Sequence, residues 1–326
     1  MTLAAGSDDS TVMAWDIETG KLRYRIKAHS GWVNSVVFSP DGKILASGAM
    51  DETFALWDVS TGREIKRFDN ESSCVNTATF SPDGALVATG SIDHTVRLWD
   101  VLTSSGEVRL ALHGHSGCIN SVKFSIDGNQ IVSGSDDMTV KVWDTVLGIE
   151  RMTLEGHTNK VMAVALSLDA RLVVSGSEDK TVRLWDTVNG TLLSTLSDHT
   201  SGINSVQFSP NGKLLASSSF DDEVKLWDTK TWKLIGKLDD LEENVTLDIP
   251  STQLSAEQAL KGTKKEQLKG SPNTATSVAC SPDGLWRASV SKSDTIELWF
   301  RGKDICVGRQ NCKVMEYKNG GGMSYA

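Results

Sequence analysis

"SGSEDKTVRLWD", residues 175–186, is one of four nearly identical twelve-residue stretches in this chain. "TGSIDHTVRLWD" (89–100) and "SGSDDMTVKVWD" (133–144) precede it, and "SSSFDDEVKLWD" (217–228) follows. Trp15, Trp57, Trp99, Trp143, Trp185 and Trp227 stand 42, 42, 44, 42 and 42 residues apart, and each is followed by Asp. A seventh Trp in the same setting, Trp299 in "SDTIELWF", comes 72 residues later, one period plus about 30 residues. A fixed period of this length signals one supersecondary unit written repeatedly, each copy too small to bury its own faces.

The unit "HSGWVNSVVFSPDGKILASGAMDETFALWDVSTGREIKRF" (29–68) holds four short runs rich in Val, Ile, Leu, Phe and Trp, at 33–38, 44–48, 53–57 and 64–68. Ser-Pro-Asp-Gly between the first two supplies Pro at i+1 and Gly at i+3 of a type I turn. Pro40, Pro82, Pro210 and Pro282 all occupy this place. Thr-Gly, ending in Gly62, joins the third and fourth runs and suits a hairpin that needs a positive φ. The pattern predicts a four-stranded antiparallel meander. Stacked radially, seven such sheets cover each other's faces and leave only short, protected edges.

The Trp-Asp ending, the period and the Ser-Pro-Asp-Gly turn together resemble the WD40 repeat family, over roughly residues 1–238 and 274–300. The resemblance implies an all-β fold: a seven-bladed WD40 β-propeller with four-stranded antiparallel blades. The chain 1–326 is then a single propeller with blade tryptophans at 15, 57, 99, 143, 185, 227 and 299, and 239–274 is an insertion between blades six and seven. The N-terminus starts in mid-unit, with "LAAGS" and "TVMAWD" but no inner strand before them. "VMEYKNG" (314–320) resembles the "VVFSPDG" that opens other units, so the C-terminal strand is expected to close the ring. Within the insertion, "SAEQ" (255–258) offers a capping box for a helix to about residue 268, and its scarcity of apolar residues equally fits a disordered loop.

Composition excludes several classes. No apolar run approaches the ~18–20 residues needed to cross a bilayer, so no membrane insertion is expected. "MTLAAGSDDS" lacks the basic and apolar regions of a secretory signal. Five scattered cysteines, an odd number, fit a reducing compartment rather than a disulfide framework. Cytoplasmic residence is the expectation, with the nucleus also open. A net charge of −9 argues against generic nucleic-acid binding by phosphate neutralisation. The sequence has no G-x-x-x-x-G-K-[ST] loop for nucleotide phosphates.

Polar residues recur at fixed distances before each Trp. His29, His115, His157 and His199 stand 28 residues earlier; Ser47, Ser133, Ser175 and Ser217 stand 10 earlier, where the third unit has Thr89. Asp51, Asp137, Asp179 and Asp221 stand 6 earlier. Ser, His and Asp together imitate a hydrolase triad, and "HGH" at 113–115 near Cys118 imitates a metal site. An enzyme needs one such site, whereas a structural staple is needed in every blade. Neither catalytic residues, nor a metal, nor a cofactor is therefore expected. The resemblance implies that Asp accepts from His and that Ser links His to the indole N–H, in tetrads ending at Trp57, Trp143, Trp185 and Trp227. Glu71 stands in the His place before Trp99, and Ser271 and Ser293 replace His and Asp in the last unit. Those blades are expected to be softer.

Function must then lie where the repeats differ. The residue before the turn Asp and the residue three past the His position should share one face around the central channel. This face carries Trp32, Met50, Ile92, Asp136, Lys160, Glu178 and Phe220, an apolar group beside acids. Trp is the residue type most enriched in interface hot spots. Asn34, Asn76, Asn120, Met162, Asn204 and Thr276 form a near-complete polar ring on the inner strands, which either contacts a partner or only satisfies backbone groups. The reading is a monomeric, non-catalytic scaffold or adaptor for a protein or peptide with an apolar anchor and a basic flank. Within the resemblance, the near-identical blades are similar to the WD40 regions of fungal heterokaryon-incompatibility and NACHT-type immune proteins, which implies a sensor module as an alternative. Adaptors of mitochondrial division and ubiquitin-ligase receptors are similar too. A propeller enzyme with a channel active site is the rival from another class.

Overall fold

Ser39-Pro40-Asp41-Gly42 closes the first hairpin of its unit as its residue types dictate. The Gly42 N–H donates to the Ser39 carbonyl at 2.9 Å, and Gly42 takes a φ of +70°. Asp41 Oδ1 accepts from the Lys43 N–H at 3.0 Å, and Ser39 Oγ accepts from the Ile44 N–H at 2.9 Å. Ser125–Gly128 closes the same turn without proline. Gly62, at φ +68°, closes the third hairpin. These turns fix register, and register fixes which side chains face the neighbouring sheet.

The computed structural model describes residues 2–16, 21–70, 73–101, 107–209, 211–221 and 223–237, and the backbone of strands 278–280, 286–290, 296–300 and 303–307. Among these residues the chain is all-β: a three-stranded antiparallel sheet followed by six four-stranded antiparallel sheets. The sheets are numbered here in chain order, and each is a meander. In the second sheet the strands are Val33–Phe38, Ile44–Ala49, Thr53–Asp58 and Glu64–Asp69, within a residue or so of the four runs read from the sequence. The first sheet holds Thr2–Gly6, Thr11–Asp16 and Leu22–Lys27. The insertion at 239–274, the candidate closing strand at 314–320, Glu71, Ser271 and Ser293 lie outside the described residues.

The first strands of the second to sixth sheets, Val33–Phe38, Val75–Phe80, Ile119–Phe124, Val161–Leu166 and Ile203–Phe208, pack on one another in succession. They are the inner strands. The core is divided among the spaces between sheets. Between the fourth and fifth sheets, Val132, Val140, Val142 and Leu154 meet Val161, Val164, Val173 and Trp185. Between the second and third, Phe54 and Phe68 stack at 4.2 Å, and Trp99 meets both edge-on. Such ring pairs add about 0.5–1.5 kcal/mol beyond their burial.

Glycine sets how closely the sheets approach. A Cβ at Gly134 would lie 2.6 Å from Val161 Cγ1, and one at Gly176 would lie 2.5 Å from Ile203 Cγ2. Each glycine is a notch in a second strand that seats a β-branched side chain from the next inner strand. The sixth sheet carries Ser218 in this place, and its hydroxyl donates to Asn204 Oδ1 at 2.6 Å.

Candidate functional site: the loop face

An antiparallel meander sends its first and third turns to one end and its second turn, with the link to the next sheet, to the other. The latter end, the loop face, gathers the recurring polar residues. In the fourth sheet the Trp143 indole N–H donates to Ser133 Oγ at 2.8 Å, Ser133 Oγ lies 2.8 Å from His115 Nε2, and His115 Nδ1 lies 2.7 Å from Asp137 Oδ2. A hydroxyl has one proton to give. With the indole donating to it, Ser133 donates to Nε2, and the imidazole proton sits on Nδ1 and goes to the carboxylate. The same chain joins Trp57, Ser47, His29 and Asp51, and again Trp185, Ser175, His157 and Asp179. In the sixth sheet it joins Trp227, Ser217, His199 and Asp221, with a longer His–Asp separation of 3.3 Å.

The electrostatics follow from burial and partners. Burial pushes the His29 and His199 imidazoles below the usual histidine range, although Asp51 and Asp221 pull the other way. Burial alone would raise the aspartates, but their hydrogen bonds outweigh it. Donors from His115, Thr139 and Ser116 hold Asp137 well below the usual carboxylate range, and Asp221 is lowered to about 2. Ser47, Ser133, Ser175 and Ser217 are each 0% exposed, so no substrate can reach these hydroxyls. Among the described residues, His199, Asp221 and Glu223 come close enough together to share an ion. Both His199 nitrogens are already engaged, however, and Glu223 is paired with Lys225 and Lys237.

The third sheet departs from the pattern. Trp99 donates to Thr89 Oγ1 at 2.9 Å, and Thr89 donates to Asn70 Oδ1 at 3.3 Å. Asn70, fully buried, gives its own protons to Ser91 Oγ and the Ser73 carbonyl, both at 2.7 Å. Asp93 pairs instead with Arg97 at 2.7 Å. The site expected to be degraded by Glu71 is therefore rebuilt around an amide one residue earlier. That substitution is visible only once Asn70, in "DNESS", is considered as a donor and an acceptor at the same time.

The variable positions line up on this face through backbone bonds. The Met50 N–H donates to the Trp32 carbonyl at 2.9 Å, and the Ile92 N–H donates to that of Cys74 at 3.3 Å. Cys74 Sγ reaches the Met50 carbonyl at 3.2 Å, and Cys118 Sγ reaches that of Ile92 at 3.5 Å, which joins the second, third and fourth sheets in one row. Trp32 is 57% exposed, with Met50 and Ile92 near 40%. Phe220 is half-buried beside Gly202, next to Glu178. Asp136 is not a free acid: Lys160 Nζ lies 2.7 Å from one oxygen and Asn120 Nδ2 donates to the other at 2.8 Å. Three of the asparagines are spent on the fold. Asn34, Asn76 and Asn120 donate to the carbonyls of Val75, Ile119 and Val161 in the next sheet, and Met162 interrupts the series.

Six segments, residues 20–58, 62–100, 106–144, 148–186, 190–228 and 262–299, match the WD40 family (WD domain, G-beta repeat), more than half of the chain. Ribosome assembly protein 4 of Chaetomium thermophilum is 49% identical over 43 residues, 13% of this chain and 8% of that protein. Small ribosomal subunit protein RACK1y of Oryza sativa subsp. japonica is 42% identical over 43 residues, 13% of each chain. The Lissencephaly-1 homolog of Caenorhabditis briggsae is 42% identical over 43 residues, 13% of this chain and 11% of its own. The matches to these curated relatives thus span only 8–13% of their length, about one repeat.

Proposed function

The chain belongs to the WD40 repeat family, and from that premise we propose that it is a non-catalytic platform that binds a protein segment on its loop face. WD40 repeat proteins serve as protein-interaction scaffolds. One observation carries the reading here: the row Trp32–Met50–Ile92 spans neighbouring sheets and leaves its large apolar side chains exposed. Trp is the commonest hot-spot residue, and an apolar row rimmed by polar groups is the usual anatomy of a binding patch. Glu178, farther round the same face and next to Phe220, favours a partner that carries a basic residue along with its apolar anchor. Asp136, already paired with Lys160, adds little to that attraction. The working form proposed is a monomeric, cytoplasmic ring of seven blades.

Selection from a displayed random-peptide library tests the reading. Enriched peptides should carry a large apolar residue next to Lys or Arg. Trp32→Ala should weaken them by about 2 kcal/mol, roughly 30-fold, without lowering the melting temperature. Equal binding to the Trp32→Ala/Met50→Asp double variant would sink the proposal.

A further inference from the structure

At the opposite end from the loop face, where the inner strands run into their first turns, the third, fourth and fifth sheets line an open cavity of about 270 Å³. Its wall is largely hydrocarbon: Phe80, Phe124 and Leu166 from the inner strands, and Ile126 and Leu168 from the turns. The two turn residues stand where the second and third sheets carry Pro40 and Pro82. Both are unusually open for aliphatic side chains, Ile126 at 61% and Leu168 at 43%. The cavity also takes in one cation, Lys123, from the inner strand Ile119–Phe124.

Among the described residues, no carboxylate pairs with Lys123. Val122, its neighbour, packs toward the third sheet against Gly90, whereas Ser121 accepts from the Val164 N–H of the fifth sheet at 3.2 Å. Alternation therefore points Lys123 to the same side as Ser121, into the space the inner strands share. Lys123 is exposed, and the protein around it lowers its pKa, with no carboxylate among the described residues to offset the effect. The nearest turn acids are held in their own turns. Asp83 accepts from Ser81 Oγ and the Ala85 N–H, Asp127 from Ser125 Oγ and the Asn129 N–H, and Asp169 from Ser167 Oγ and the Arg171 N–H. An anion beside Lys123 would supply the missing counter-charge and favour its charged form.

We propose that this cavity is a binding site for a small monocarboxylate with an apolar stem, the carboxylate meeting Lys123 and the stem lying along Phe80, Phe124, Ile126, Leu166 and Leu168. The lining chooses the ligand. A single ammonium matches a single negative charge, while the turn acids around the mouth disfavour polyanions such as phosphates. The site lies at the other end of the sheets from the Trp32 row and does not depend on the function proposed for that row.

Octanoate, octanol and octylammonium, titrated separately into the full chain and followed by calorimetry, form the test. Octanoate should bind with a Kd below about 1 mM, at least tenfold tighter than octanol, and octylammonium should not bind. Lys123→Met should remove the preference for octanoate over octanol. Leu168→Asp, an exposed change that leaves the fold intact, should weaken octanoate at least tenfold. A second readout locates the site: amine acylation at pH 8 with peptide mass spectrometry should modify Lys123 early, and octanoate should slow that modification. The proposal is overturned if octanoate fails to bind the wild-type chain, binds Lys123→Met equally well, or leaves Lys123 labelling unchanged.

Discussion

The third and fourth sheets secure their tryptophans with different chemistry. In the fourth, a carboxylate and an imidazole pass one line of protons from Trp143 to Asp137. In the third, the Asn70 amide accepts from Thr89 and donates to Ser91 and to the Ser73 carbonyl. One arrangement is built on a charge and the other is neutral. Their coexistence at equivalent places shows that the fold requires a buried acceptor behind the Ser or Thr hydroxyl, and not histidine as such.

The largest effect expected is from His115→Ala. It strands the buried Ser133 hydroxyl and Asp137 and opens a cavity, a cost of about 3–4 kcal/mol in denaturant unfolding. Asn70→Ala should follow at about 2–3 kcal/mol, because it leaves Thr89, Ser91 and a carbonyl unpaired but no charge. If Asn70→Ala proves nearly neutral, the third sheet is held by something other than this amide.

Acid separates the two designs. His29 and His199 are lowered by burial in the folded state, so below about pH 6.5 the unfolded chain takes up protons first and stability falls. Asp137, Asp179 and Asp221, also lowered, extend that loss below about pH 4. The cost of His199→Asn should therefore shrink between pH 8 and pH 5, while that of Asn70→Ala stays constant. Parallel changes in the two costs would show that the networks do not titrate as their chemistry implies.

The smallest effect concerns the turns beside them. Met138 and His94 both hold a left-handed backbone, with φ of +69° and +72°. Met138→Gly should stabilise by about 0.5–1 kcal/mol in thermal unfolding, and His94→Gly by less, since histidine enters this region more readily. Equal gains would mean that the side chains, rather than the backbone, set the cost.

Much of this was legible in the sequence. Alternation and Ser-Pro-Asp-Gly located the strands of the second sheet, because a pleat has period 2 and a type I turn has few acceptable sequences. The four His–Ser–Trp–Asp sets could be read from constant spacing. Asn70 could not, because it stands one residue out of phase and performs the task with a different functional group. The Lys160–Asp136 pair was hidden for another reason: its members belong to different repeats, and spacing within a repeat says nothing of contacts across a joint. The asparagine series, legible as a polar ring, had two readings until its next-sheet carbonyls were seen.

The glycine notches have a consequence at the level of the gene. Gly90, Gly134 and Gly176 each seat a Val or Ile from the following unit at a spacing that no side chain would permit. The seat recurs at every one of these joints and a β-branched residue fills it, so the seat by itself gives no unit a private neighbour. A unit duplicated or deleted by an in-frame multiple of the repeat would meet a matching surface on both sides. The seats thus leave the order of the units to chain connectivity and to contacts particular to one joint, such as Lys160–Asp136. Ser218 ends the series, and a unit copied past it would find its seat already filled by a hydroxyl.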